Sequence, residues 1–182
     1  MSIERFFFVR HGETDANANS LMAGGGWDIP LNRIGEAQSL VATEILLRTV
    51  PHLDHIFVSS MQRARQTSAA ISEEYPKARV HDVPGLIEWK FGAWEKTPWE
   101  DVRADFLDNQ DPPQGETRVE FQQRIHAGLE ACLSHPGEKL IVAHGGVWWY
   151  IMKIIGLEPF LVENCTPYVA EKRLGRWVTK PL

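Results

Sequence analysis

The sequence predicts an α/β fold, a three-layer sandwich in which helices cover both faces of a mainly parallel, mixed sheet. Three observations carry that prediction. Short apolar runs, Phe6–Val9, His55–Val58 and Lys139–Ala143, read as strands buried on both faces. Segments of helical periodicity alternate with them, which is the pattern of successive βαβ units. Each run also stops abruptly at polar residues: Arg10-His11-Gly12, Ser59 with Arg63 just beyond, and His144-Gly145-Gly146. In a parallel sheet such strand ends share one edge, where α/β proteins place their ligands.

The elements follow in order. After the first strand and its loop, Ile34, Ala37, Val41 and Ile45 recur at helical spacing, predicting an amphipathic helix over about Arg33–Arg48 that ends near Pro51. His52 and His55, separated by two residues, fit a solvated turn before the second strand better than a ligand pair. A helix over Gln62–Glu74, closed by Pro76, precedes a short strand over Arg79–Val83. From Pro84 to Gly115 the chain is irregular, apart from a short helix near Trp99–Leu107, and long irregular stretches in compact domains are commonly functional. Phe121, Ile125, Leu129 and Cys132 mark a further helix, and Val147–Ile155 an apolar one. Tyr168–Lys180 reads as a hairpin turning near Leu174-Gly175-Arg176.

With 182 residues, the chain is expected to form one domain over residues 1–182. A net charge of −5 argues against general binding to nucleic acid or an anionic membrane, while leaving room for a local basic pocket. Cys132 and Cys165 form no ligand-like cluster, which suits a reducing cytoplasm. No signal peptide is visible, and no apolar stretch approaches the roughly 20 residues needed to span a bilayer. The expected location is therefore cytoplasmic. The C-terminal hairpin offers an edge through which an oligomer could form.

If the strand ends converge, two histidines and two arginines share a compact, cationic, donor-rich pocket, suited to a phosphoryl group. Paired histidines also suggest a metal, but hydrolytic zinc sites generally have three protein ligands, and two flanking arginines oppose a divalent cation. No metal and no cofactor are expected.

At these residues the chain resembles the histidine phosphatase superfamily, in the branch related to cofactor-dependent phosphoglycerate mutase. The resemblance runs through Arg10-His11-Gly12-Glu13-Thr14 with Asn17; Asp28-Ile29-Pro30-Leu31 with Gly35 and Gln38; and Ser59 with Arg63-Ala64 and Gln66-Thr67. It continues through Leu86-Ile87-Glu88 with Gly92, Trp94 and Glu95, then Gly115-Glu116-Thr117 with Arg124, and Val142-Ala143-His144-Gly145-Gly146. It implies that His11 is a nucleophile that becomes phosphorylated. Arg10, Arg63 and His144 would bind the phosphoryl oxygens, assisted by Asn17 and the Gly145 backbone. Glu88 would protonate the leaving oxygen and later take a proton from water.

The chemistry agrees with those roles. A neutral imidazole has a free lone pair near pH 7, and a backbone carbonyl commonly holds its other nitrogen as a donor. Phosphoryl transfer asks chiefly for alignment and charge stabilisation. Glu88 stands beside Trp89, Phe91 and Trp94, apolar company that favours the neutral, proton-donating form.

The chain departs from the family pattern at Ser60, where proline is common, at Lys96, where glycine is frequent, and at Trp89, where an arginine or histidine is expected. Phosphoglycerate mutases carry a longer, arginine-bearing insertion between the acid and the Gly-Glu block, whereas this chain has only Lys90, Lys96 and Arg103. That favours hydrolysis of small phosphomonoesters over mutase chemistry. A mutase, a phosphatase acting on phosphohistidine in a protein, and a non-catalytic phospho-ligand sensor are the alternatives. Trp27, Trp89, Trp94, Trp148 and Trp149 are candidates to border the cleft, and Gly24–Gly26 to form a mobile lid.

Overall fold

The structure, a computed structural model, describes residues 4–182. It contains β1 (Arg5–Arg10), α1 (Asp15–Ala18), α2 (Arg33–Thr49), β2 (His55–Val58), α3 (Gln62–Glu74), β3 (Arg79–Asp82), α4 (Trp99–Leu107), α5 (Arg118–Leu133), β4 (Lys139–Ala143), α6 (Gly145–Ile154), β5 (Tyr168–Arg173) and β6 (Arg176–Pro181). Two short 3₁₀ turns, Pro84–Leu86 and Gly92–Trp94, punctuate the irregular stretch. The six strands lie in the order β3-β2-β4-β1-β5-β6. β1 to β4 pair in parallel, and the β5–β6 hairpin pairs antiparallel against β1.

The pleat sends alternate residues of each strand to opposite faces. Phe6 and Phe8 of β1, with Phe57 and Ile141, enter a core built with α5 and α6. Phe7 and Val9, with Ile56, Val58, Leu140 and Val142, enter a second core beneath α2 and α3. Two buried faces need helices on both sides, and the result is the three-layer sandwich. Full burial of a side chain such as Phe8 or Ile141 stabilises the fold by about 1.5–3 kcal/mol.

α2 occupies the predicted stretch but presents another face to the sheet. Most of its expected core stripe is solvent-facing, with Ile34 and Val41 each 57% exposed, Ala37 exposed as well and Ile45 half-buried. The buried face is Gly35, Ser39, Ala42, Thr43 and Leu46. Small side chains let α2 lie close to its neighbours. The two hydroxyls cost little when buried because each donates back along the helix, Ser39 Oγ to Gly35 O at 2.8 Å and Thr43 Oγ1 to Ser39 O at 2.8 Å. A count of apolar residues therefore finds the helix and misplaces its face.

His55 belongs to the buried strand that the His55–Val58 run predicts and not to a solvated turn. It is hydrogen-bonded to His81 of β3 (Nδ1 to Nε2, 3.0 Å), with the His135 ring 5.0 Å away centroid to centroid. His52 remains exposed beside Asp54.

Candidate active site

The strands that end in β2, β4 and β1 are neighbours in the sheet, so their carboxyl ends lie side by side. The parallel ladder continues one residue past the strands, through His11 N–H to Ala143 O (2.9 Å) and Ser59 N–H to Val142 O (3.0 Å). His11, Ser59 and His144 are thereby delivered to one point. Gly12 is required there by proximity: a Cβ would collide with the backbone of Gly35 at the start of α2. The close contact presses the His11 loop onto α2, and the Gly12 N–H donates to Thr67 Oγ1 at 3.0 Å.

His11 is buried, and both ring nitrogens are engaged. Nδ1 donates to Gly12 O at 2.7 Å, while Arg63 Nε donates to Nε2 at 3.2 Å. A guanidinium N–H only donates, so Nε2 must carry a lone pair. Burial first, then the Arg63 and Arg10 charges, holds the His11 pKa well below the ordinary histidine value. At neutral pH the ring is an uncharged base with its lone pair turned towards the cations.

His144 lies 5.1 Å from His11, ring centroid to centroid, at 60°. Its Nε2 meets Ser59 Oγ at 2.7 Å, and Nδ1 is buried with no partner. Burial, reinforced by Arg63, His11 and Arg10, also pushes its pKa well below the usual value. The hydrogen bond to Ser59 fits either direction; with the hydroxyl donating to Nε2, the ring proton sits on Nδ1, which is then a free donor.

Arg10 Nη1 donates to Val162 O at 2.9 Å, and its Nε is buried without a partner. Arg63 is fastened by Gly24 O to Nη2 (2.9 Å) and Trp27 O to Nη1 (3.3 Å). Burial lowers the pKa of both guanidinium groups, and the Glu88 carboxylate opposes that shift. Buried polar groups are almost always paired. Unpartnered Arg10 Nε and His144 Nδ1, beside a neutral imidazole, describe a receptacle for an anion with several acceptor oxygens.

Glu88 faces this receptacle from the irregular stretch. Its carboxylate accepts Trp89 N–H at 2.9 Å and Gly146 N–H at 3.0 Å, the latter at the N-terminus of α6. A Cβ on Gly146 would stand 3.1 Å from the Glu88 carboxyl carbon and closer still to Oε1, so glycine there makes room for the acid. The expected apolar surroundings are not what the fold builds. Trp89, Phe91 and Trp94 turn into the core beneath α5 and α6, and the carboxyl is left among backbone N–H donors.

Gly145 opens α6 against Arg10, with a hypothetical Cβ 3.6 Å from Arg10 Nε. The side-chain hydrogen bonds of Asn17 go to Thr14 rather than to the histidines or arginines. Its Oδ1 accepts from Thr14 N–H (3.1 Å) and Thr14 Oγ1 (3.0 Å), capping α1, and only its Nδ2 end is uncommitted. Trp148 is also buried in the core, with Trp149 packed against it, and Trp27 is tied to Arg63 through its carbonyl. The Gly24–Gly26 run is fastened at each residue: Gly24 O to Arg63, Gly25 N–H to Trp89 O, and Gly26 N–H to Glu95 Oε1. Lys96 adopts φ +68°, the left-handed region, a backbone cost of about 1 kcal/mol that glycine would not incur.

Three contributors have no role that the sequence assigns. Ser59 and Gly146 sit inside recognisable blocks, so a signal existed. Asn164, whose Nδ2 donates to His11 O at 2.7 Å, sits in no motif. Among the described residues, no group of three or more His, Cys, Asp or Glu side chains is arranged to hold a metal ion, and no helix is long and apolar enough to cross a membrane.

Comparison with known proteins agrees with this geometry. The family profile of the histidine phosphatase superfamily (branch 1) matches residues 6–178. A Yersinia enterocolitica protein named "Probable phosphoglycerate mutase GpmB" is 33% identical over 191 residues, covering 94% of this chain and 86% of its own. The solved structure of TTHB049 from Thermus thermophilus superposes with a TM-score of 0.78 at 28% identity, over 98% of each chain. The alpha-ribazole phosphatase from Shigella flexneri gives 0.78 at 28% identity, over 98% of this chain and 95% of that one. The strand-end histidines, their arginines and this match across nearly the whole chain lead to one conclusion: the protein belongs to the histidine phosphatase superfamily.

Proposed function

We propose that the protein hydrolyses small phosphomonoesters in the cytoplasm, through a phosphohistidine on His11 and without a metal or cofactor. The observation that carries this reading is the pair of buried, unpartnered nitrogens, Arg10 Nε and His144 Nδ1, beside the neutral His11 ring. A bound phosphoryl group would satisfy both and place its phosphorus before His11 Nε2. In-line attack forms the N–P bond as the ester P–O bond breaks, and Glu88 gives the leaving oxygen its proton. Arg10, Arg63 and His144 hold the charge of the transferring group, and the Gly145 backbone lines its floor. The Glu88 carboxylate then takes a proton from water, which attacks phosphorus and releases inorganic phosphate and His11. Asn17 contributes through Nδ2 alone, since its other end caps α1.

Mutase chemistry is the second reading, favoured by the name of the Yersinia relative. It needs cations that retain a bisphosphorylated intermediate. The cations between Glu88 and Gly115 are dispersed: Lys90 is exposed, Lys96 lies over Trp27, and Arg103 stands beside Glu100 on α4. Nothing in that segment is gathered to hold a second phosphate, so water is favoured as the acceptor.

A phosphate-release screen over sugar phosphates, nucleotides, α-ribazole phosphate and phosphoglycerates tests the proposal, with wild type and His11→Ala side by side. Hydrolysis by wild type alone, with acid-labile phosphate on quenched enzyme, is expected. Bisphosphate-stimulated interconversion of 2- and 3-phosphoglycerate would establish the mutase. Release of phosphate from a phosphohistidine-bearing protein, with no small ester cleaved, would move the substrate to proteins.

A further inference from the structure

The segment that carries Glu88 is held by one side chain from the helix it packs against. Arg124, on α5, donates from Nη1 to Gly85 O (3.0 Å) and Ile87 O (2.8 Å), and from Nη2 to Glu88 O (3.3 Å). Its remaining edge forms a two-point pair with Glu116, Nε to Oε1 at 2.8 Å and Nη2 to Oε2 at 2.7 Å. Both side chains are largely buried, 23% and 12% exposed. Glu116 closes the arrangement from the other side: its carbonyl accepts the Trp89 indole N–H, and its own N–H donates to Lys90 O at 2.8 Å. Gly85 packs directly on Gly128 of α5, so the turn before Glu88 is also pressed against the helix that supplies Arg124.

We propose that Arg124, paired with Glu116, is a positioning residue for the proton-transfer step, fixing the backbone that aims the Glu88 carboxyl at the leaving oxygen. The inference rests on Glu88 being the acid of the proposed reaction. Three carbonyls within four residues, all directed at one guanidinium, leave the 85–88 backbone one arrangement. Only arginine has the planar fork for this many acceptors; lysine cannot serve a carboxylate and three carbonyls together. The pair also reaches the phosphoryl clamp. Gly25 N–H hangs on Trp89 O, and Gly24 O in turn fixes Arg63. Arg124 itself touches no reacting atom, so its effect should follow the need for a proton.

That dependence separates positioning from general structural support. Single-turnover phosphohistidine formation is measured for wild type, Glu88→Gln, Arg124→Ala and Glu116→Gln, with p-nitrophenyl phosphate and with glycerol phosphate. The first leaving group departs as a stabilised phenolate and needs little help, whereas the alkoxide needs its proton. Arg124→Ala is expected to match Glu88→Gln: a loss of about 10²-fold on glycerol phosphate and only a few-fold on p-nitrophenyl phosphate. Added ethylguanidinium should restore part of the glycerol phosphate rate to Arg124→Ala and none to Glu88→Gln. Glu116→Gln, which keeps size and shape, gives the same selectivity in weaker form and serves if Arg124→Ala does not fold. Equal losses on both esters, or no loss, in Arg124→Ala and Glu116→Gln while Glu88→Gln stays selective would overturn the positioning role alone. A Glu88→Gln enzyme that is itself unselective would instead overturn the assignment of the acid.

Discussion

Ser59→Ala tests how the buried imidazole is held. His144 Nε2 meets the Ser59 hydroxyl at 2.7 Å, and a hydroxyl that donates there leaves the ring proton on Nδ1, the unpartnered nitrogen. Without the hydroxyl, Nε2 is an acceptor buried with nothing to accept, a cost of about 1–3 kcal/mol. The ring can relieve part of that cost by moving its proton to Nε2, but Nδ1 then presents a lone pair to a phosphoryl oxygen. A bias of this size corresponds to about 5- to 150-fold in kcat/KM, with inorganic phosphate inhibition weakened in parallel because the same donor binds product. Thermal unfolding should fall by about 2–4 °C per kcal/mol lost in a chain of this length. The assay is steady-state hydrolysis of a phosphomonoester with and without added phosphate, beside a melting curve. A folded Ser59→Ala enzyme with unchanged kcat/KM and unchanged phosphate inhibition would refute the tautomer argument.

Other outcomes follow from the same geometry. Gly146→Ala places a methyl against the flexible end of Glu88. Stability should hold or rise, since alanine is preferred over glycine in a helix by about 1 kcal/mol, while hydrolysis of alkyl phosphates drops at least about tenfold as the carboxyl is displaced; an active enzyme would show that Glu88 need not sit there. Arg63→Lys loses the fork that spans His11, Gly24 and Trp27, and a kcat loss of about 10²-fold is expected with charge conserved; steady-state rates check it. His11, His144, His55 and His81 are all held below the ordinary histidine value when folded, chiefly by burial. Unfolded, each takes a proton near pH 6.5. Below that pH the unfolded chain binds more protons than the folded one, so stability is fully present above about pH 6.5 and is lost as the pH falls, by up to about 1.4 kcal/mol per pH unit per histidine. Urea melts of wild type and His144→Gln across about pH 5–7 should show a shallower acid limb in the variant.

Much of the architecture was legible because it depends on local periodicity. The runs His55–Val58 and Lys139–Ala143 and the helices Gln62–Glu74 and Trp99–Leu107 appear where the pattern of apolar residues puts them. The face of α2 was not legible. Burial there is set by how closely α2 approaches its neighbours, and small hydroxyl residues that donate to their own helix suit that approach better than isoleucine. The surroundings of Glu88 were misjudged for a related reason. Side chains adjacent in sequence need not share a direction, and Trp89 and Trp94 turn into the core as the carboxyl turns out.

The sequence by itself determined the reactive groups: an arginine and a histidine ending one strand, a serine and an arginine after another, and a histidine with two glycines after a third. Covalent chemistry belongs to the residue, so a candidate nucleophile and the cations flanking it are legible from the sequence. Only the tertiary structure decided how those groups are held. The lone pair on His11 Nε2, the pairing of His144 Nε2 with Ser59, the room that Gly146 leaves for Glu88 and the grip of Arg124 on three carbonyls join residues far apart in the chain. Hydrogen-bond direction and burial belong to that assembled environment, and no local stretch of sequence contains them.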